Sequence, residues 1–305
     1  MKKNILIIIL FALITNLSFA QDATNTSAVK EKDYPVSAVF ESGYLIDAQT
    51  TTIHDVKTLD MVIQHKFGTI DQGTTNLWGI YGSANIRMGL DYVPLKNLQI
   101  GAGITKKYMT TDVRAKWNIL QQTRKNTIPI SVALFGTVGF DGRSVSAFET
   151  GLVQEAWTGP VYHYRFSDRV SYFSQIIVSR QFCKEFALQA GASFTHYNAV
   201  GTAYDHDKVG VHVSGRIKVT EKGSVIFNYD HPLQIKEISE QSAWTNPPKP
   251  SASLGYEIST GTHQFQIFAS SSNSLLPQDN IMWNQNEMDK TGIAIGFLIT
   301  RLWGF

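Results

Sequence analysis

A chain of 305 residues is long enough for one large β domain or two small ones. Its formal charge is +2, and setting aside Lys2 and Lys3 leaves 25 basic against 25 acidic residues, which argues against a nucleic-acid partner. The single cysteine, Cys183, excludes an internal disulfide.

Residues 1–20 read as a signal peptide. Lys2 and Lys3 give a positive start, Ile5 to Ile14 is apolar, and Ser18-Phe19-Ala20 places small residues where a signal peptidase cuts. The apolar run is short for a spanning helix, which needs about 20 residues. No later run approaches that length, so the exported product is expected to be periplasmic, secreted or an outer-membrane barrel. Residues 21–56 do not read as a strand pair. They are either a periplasmic lead-in or a segment tucked into a lumen, with Val39 to Leu45 as a possible short strand.

From residue 57 onward, period-two alternation dominates, which is the signal for half-buried strands. Val113, Ala115, Trp117 and Ile119 alternate with Asp112, Arg114, Lys116 and Asn118; Val209, Val211 and Val213 alternate with Gly210, His212 and Ser214. The pattern predicts strands near 57–67, 80–92, 97–108, 111–121, 129–140, 168–181, 185–198, 207–219, 222–231, 250–260, 262–271 and 291–305. That is about twelve, an even number, as bacterial single-chain barrels have. Connections after even-numbered strands are short and those after odd-numbered strands are mostly long, the one near Met109 and Thr110 excepted. Membrane barrels sort their connections this way, with short periplasmic turns and long external loops; a soluble sandwich has no reason to. The expected fold class is therefore all-β: a transmembrane antiparallel up-and-down β-barrel over 57–305. Tyr92, Tyr108, Trp117, Tyr172, Tyr197, Tyr229, Trp303 and Phe305 are candidates for aromatic girdles at the two membrane interfaces.

Several runs resemble a known family. They are Ile63-Gln64-His65-Lys66-Phe67-Gly68, Asn76-Leu77-Trp78-Gly79, the stretch from Ala84 to Tyr92, Leu120-Gln121-Gln122 and Arg169-Val170-Ser171-Tyr172. Together they look like a family of Gram-negative outer-membrane β-barrels known only as a domain of unknown function, over roughly residues 55–305. The resemblance implies a barrel and a cell outer-membrane location, and carries no activity or ligand. The last strand, with Ile293, Ile295, Phe297, Ile299, Trp303 and a terminal Phe305, resembles the C-terminal signal read by the barrel-insertion machinery. Trp303 and Phe305 are thus the candidate assembly signal.

The expected lumen face carries Asp60, Lys66, Arg87, Asp91, Lys107, Asp112, Arg114, Lys116, Arg216, Lys218, Asp230 and Glu257. Two readings remain open: a slightly cation-lined path favouring anions, or a ladder of paired charges filling a small barrel. Function is expected to be that of a small porin-like channel, a transporter or a ligand-binding pore for an unidentified small solute. A closed structural or surface-binding barrel is the alternative. A third reading puts a hydrolase at the external rim, with Asp205-His206-Asp207 in one loop and Asp230-His231 at the start of the next. No glycine-framed serine accompanies them, and no metal-ligand or cofactor motif is found, so neither an enzyme, a metal nor a cofactor is expected. Partners are outer-membrane lipid and the insertion machinery. Trp157, Tyr162, Tyr164, Trp244 and Trp283 fall in long connections, where they serve either binding or capping.

Overall fold

The computed structural model describes residues 32–148, 164–201, 204–236, 247–289 and 292–305. The signal-peptide reading, Trp157, Tyr162 and Trp244 lie outside these. A two-residue pair, β1 (Tyr44–Leu45) and β2 (Ala48–Gln49), precedes the long strands. Those are β3 (Thr58–Thr69), β4 (Asn85–Leu95), β5 (Leu98–Thr105), β6 (Thr110–Leu120), β7 (Ser131–Phe140) and β8 (Val170–Gln181). They continue as β9 (Phe186–Tyr197), β10 (Asp207–Lys218), β11 (Gly223–Pro232), β12 (Ser251–Ser259), β13 (His263–Ser270) and β14 (Ala294–Gly304).

Each strand pairs antiparallel with its neighbour in sequence, and β14 returns to pair with β3, so β3 to β14 close a twelve-stranded barrel. Closure matters because an open edge in lipid would leave backbone groups unpaired. The alternation sorts the two faces. In β6, Asp112, Arg114, Lys116 and Asn118 are buried, while Val113, Ala115, Trp117 and Ile119 are exposed. Large apolar side chains thus face outward all round, which suits lipid and no aqueous surface. Outward Tyr92, Trp117 and Trp303 lie near the end with the short turns, and Tyr172 and Tyr229 near the end with the long loops.

Two expectations are corrected. Strand β5 ends at Thr105, because Tyr108 and Met109 take left-handed backbone conformations (φ 56° and 49°) in a tight turn that ends the pairing. Tyr108 and Tyr197 do not face lipid. The Tyr108 ring lies under the Arg143 guanidinium at 4.2 Å, and the Tyr197 hydroxyl donates to Asp279 at 2.5 Å. Gly296, on the lumen row of β14, is closed to any side chain. A Cβ there would lie 2.6 Å from the Phe268 ring and 2.7 Å from the His65 carbonyl.

Candidate functional site

The lumen is filled, and residues 34–56 do most of the filling. This segment enters at the turn end, where Pro35 bridges to Thr123 and the Val36 amide donates to the Gln122 carbonyl. It climbs to a tight reversal between β1 and β2, with Ile46 at φ 56°, and returns to Lys57 at the foot of β3. Its partners lie on strands all round the barrel, which is possible only from inside. The Tyr44 hydroxyl donates to Asp91 on β4 and accepts from Arg114 on β6. Gln266 on β13 clamps the reversal, accepting from the Ile46 amide (2.8 Å) and donating to the Tyr44 carbonyl (2.9 Å). Gln189 on β9 donates to the Gln49 carbonyl, Thr51 meets Ser179 on β8, and Arg216 on β10 pairs with Glu41 at 2.6 Å. We call this segment the plug.

Lys66 ties the plug to the rest of the lumen. Its ammonium, with no exposure, donates to Asp47 at the plug tip (2.6 Å), to Ser270 on β13 (3.2 Å) and to the Ser274 carbonyl (2.9 Å). Ser274 lies in the long connection between β13 and β14, which carries the short helix α1 (Pro277–Trp283). That helix also sits inside. Asn280 donates to Asp230 and Ser251, Asp279 takes the Tyr197 bond, and Ile281 packs with Phe135, Phe173 and Ile177. Trp283 stands edge-on to Tyr197 and Tyr204, so this loop aromatic caps the lumen.

The predicted lumen charges now have places. Asp60, Lys66, Arg87, Asp91, Asp112, Arg114, Lys116, Arg216, Asp230 and Glu257 are all buried on the inner wall. Many are paired: Arg87 forks onto both Asp112 oxygens at 2.9 and 2.8 Å, and Arg114 reaches Asp112 and Asp91. Glu257 accepts from Gln266, and Lys116 donates to the Gly43 carbonyl at 3.3 Å. Lys107 stands in the loop-end turn, half-buried, and donates to the buried Ser274. Lys218 is half-exposed at the turn end, where it lines a cavity of about 500 Å³ with Glu41, His54 and Lys222. Burial pushes the His54 imidazole down to about 4, with Lys116 adding to the shift, so it is neutral at neutral pH. Deeper in, the described residues leave a void of only about 10 Å³ between plug and α1.

The rim Asp–His pairs do not converge. Asp230 points inward and accepts from His212, whereas His231 points outward beside Tyr229; His206 engages the Tyr197 carbonyl. Trp303 pairs with Leu59 on the outer face under the Arg301 guanidinium, and Phe305, 79% exposed, donates its amide to the Lys57 carbonyl.

The sequence reading left the plug as one of two options and missed α1. A signal for the plug was present. The polar lumen face is interrupted by Val62, Ile226, Phe268 and Leu298, which meet Phe40, Tyr44, Leu45 and Ile46 of the plug. Apolar residues on a face that should be wet call for an apolar partner inside.

Residues 40–303 match the family described as a membrane bound beta barrel domain (DUF5777). The chain belongs to that family. It is a membrane-bound β-barrel, and its location is the outer membrane, where barrels of this architecture reside. No curated protein matches the sequence. Among solved structures, the barrel is similar to the COG4313 outer membrane channel from Pseudomonas putida F1, at 11% identity and a TM-score of 0.48, over 85% of this chain and 100% of that one. The NanC porin gives 8% identity and a TM-score of 0.46, over 81% and 99%. The KdgM porin gives 5% identity and 0.41, over 81% and 99%. At these values the barrel rests on its own strand pairing and on the family match.

Proposed function

We propose that this family member is a plugged channel, which passes a small hydrophilic solute when residues 34–56 withdraw from the lumen. One observation carries the reading: the wall behind the plug is polar. Gln64, Arg87, Asp112, Arg114, Lys116, Gln189, Ser193, Ser214 and Asn228 all point inward. A barrel meant only to be filled could use apolar side chains there, whereas this wall remains wettable once the plug leaves. Beyond its chain continuity with Lys57 and β3, the plug is held by hydrogen bonds and ion pairs.

The solute class follows from what the plug takes with it. Glu41 and Asp47 are its two carboxylates in ion pairs with the wall, and their departure frees Arg216 and Lys66. The emptied lumen then favours anions, since the charge lining a pore sets its selectivity. In planar bilayers, full-length protein is expected to be nearly silent. Protein lacking residues 34–56 is expected to conduct steadily, with a reversal potential in a salt gradient that reports preference for the anion. Absence of conductance from correctly assembled, heat-modifiable barrels lacking the plug would instead support the closed structural barrel.

A further inference from the structure

Three wall residues on adjacent strands form a relay that the channel reading does not use. Asp230 on β11 and His212 on β10 are cross-strand partners, with Asp230 Oδ1 2.7 Å from His212 Nδ1. The other ring nitrogen, Nε2, is 2.7 Å from Ser193 Oγ on β9. All three side chains are buried on the inner wall. Asp230 also accepts from Asn228, Ser251 and Asn280 through its second oxygen. Four donors fix that carboxylate, and with Nδ1 directed at it Nε2 is the ring nitrogen that faces the serine hydroxyl. This is the order of roles needed to activate a serine.

The surroundings complete the constellation. Gly191 stands opposite His212 and is tightly packed: a Cβ there would lie 2.6 Å from the Ile176 carbonyl and 3.3 Å from Gln175 Nε2. Gln175 on β8 is the cross-strand partner of Ser193 and is also buried. Its side chain shares the inner face with the serine, and its N–H groups are donors of the kind that stabilise a developing oxyanion. The small inner void touches Gln175, His212 and Asp230, and its opposite wall is the plug tip, Asp47, Ala48 and Gln49. Pro277 and Asn280 of α1 also line it, and Ile281 of α1 packs beside Ser193, so withdrawal of the plug uncovers Gln175, His212 and Asp230 first and leaves α1 over the serine.

We propose that Ser193, His212 and Gln175, positioned by Asp230, form an acyl-transfer site in the lumen that hydrolyses small esters entering the opened pore. Ser193 Oγ attacks the ester carbonyl carbon as its proton passes to His212 Nε2. Gln175 donates to the carbonyl oxygen. The C–O bond to the alcohol then breaks and the alcohol takes the proton from Nε2. Water, deprotonated by His212, attacks the acyl-serine, releases the acid and restores the hydroxyl.

Access rests on the plug moving, so conductance and chemistry are read on the same preparations of full-length protein. The probes are a small alkyl fluorophosphonate, with the site located by peptide mapping, and p-nitrophenyl acetate. Ser193 is expected to be labelled slowly in the wild type and at least tenfold faster in Asp47→Ala, whose plug is loosened. His212→Gln should slow labelling about a hundredfold or more, the usual contribution of a general base. Ser193→Ala should abolish labelling, and Ser193→Cys should instead be alkylated by iodoacetamide at a rate that rises with plug release. Heat-modifiable mobility checks that each variant is assembled. Asp47→Ala barrels that conduct yet leave Ser193 unlabelled would overturn the site and leave the channel standing. Barrels that neither conduct nor label would overturn both.

Discussion

Asp47→Ala is expected to leave the barrel assembled and to release the plug. Lys66 has no exposure, and among the described residues its charged partner within 4 Å is Asp47, at 2.6 Å. Removing one member of a buried pair strands the other, at a cost of about 3–5 kcal/mol. Here the stranded ammonium has a remedy, because water reaches it if the plug withdraws. The cost therefore falls on the plugged state and not on the barrel, whose strand pairing does not involve Asp47. A shift of that size raises the open population on the order of a hundred- to several-thousand-fold. The measurement is proteolysis within residues 34–56 on assembled protein, alongside wild type. Glu287→Ala is the comparison. Its partner Lys249 is 2.5 Å away, but both side chains are substantially exposed at 39% and 58%, and such pairs contribute about 0–1 kcal/mol. That variant should match wild type. Equal plug protection in Asp47→Ala and Glu287→Ala would mean that the Lys66 pair does not hold the plug.

How far these features were readable in the sequence depends on how local their signals are. Alternation along one strand is local: Asp112-Val113-Arg114-Ala115-Lys116-Trp117 states its two faces without reference to any neighbour, and the twelve strands and their short and long connections follow from runs like it. The ends of β5 were less legible, since the break depends on positive φ at Tyr108 and Met109, which are not usual turn residues. The plug was not legible as such. Its fixing points, Glu41 to Arg216, Asp47 to Lys66 and Tyr44 to Asp91, are separated by tens to well over a hundred positions in sequence and have no spacing rule. Its trace was indirect, in Val62, Ile226, Phe268 and Leu298 on a face otherwise polar. The relay was hidden for the same reason. Asp230 was visible as a lumen residue, but Ser193 and His212 come together only through the pairing register of β9 and β10.

Val213→Arg is expected to cut the amount of assembled barrel severalfold or more, while Ser214→Ala leaves it near wild type. Val213 is near the middle of β10 and 39% exposed on the outer face, so its side chain meets the lipid interior. A charge at the bilayer midplane costs about 2–4 kcal/mol on a barrel, and at mid-strand the guanidinium is far from either headgroup layer. Arg301 shows what a tolerated outward arginine looks like: it is exposed near the end of β14 and stacked on Trp303. Ser214, the next residue, faces the lumen and receives a bond from Gln189 at 2.9 Å. Its loss costs about 1 kcal/mol. The folded fraction in the outer membrane, read by heat-modifiable mobility at matched synthesis, separates the two. Similar losses for both variants would mean that the outer face of β10 does not meet lipid.

The most direct measurement is the conductance of a barrel whose plug can be tied down and let go. Thr51 on the plug and Ser179 on β8 are both buried, with side-chain oxygens 2.5 Å apart. That places Thr51→Cys and Ser179→Cys within reach of a disulfide, whose S–S bond is about 2.05 Å. The native Cys183, which is exposed, is first replaced by serine, and Asp47→Ala is added so that the reduced plug is free to leave. Single molecules in planar bilayers are recorded oxidised and then after adding reductant. A plugged channel predicts silence while the disulfide holds and anion-preferring openings after its reduction. Openings of the same size and frequency in both states would contradict it, because solute would then pass without the plug moving.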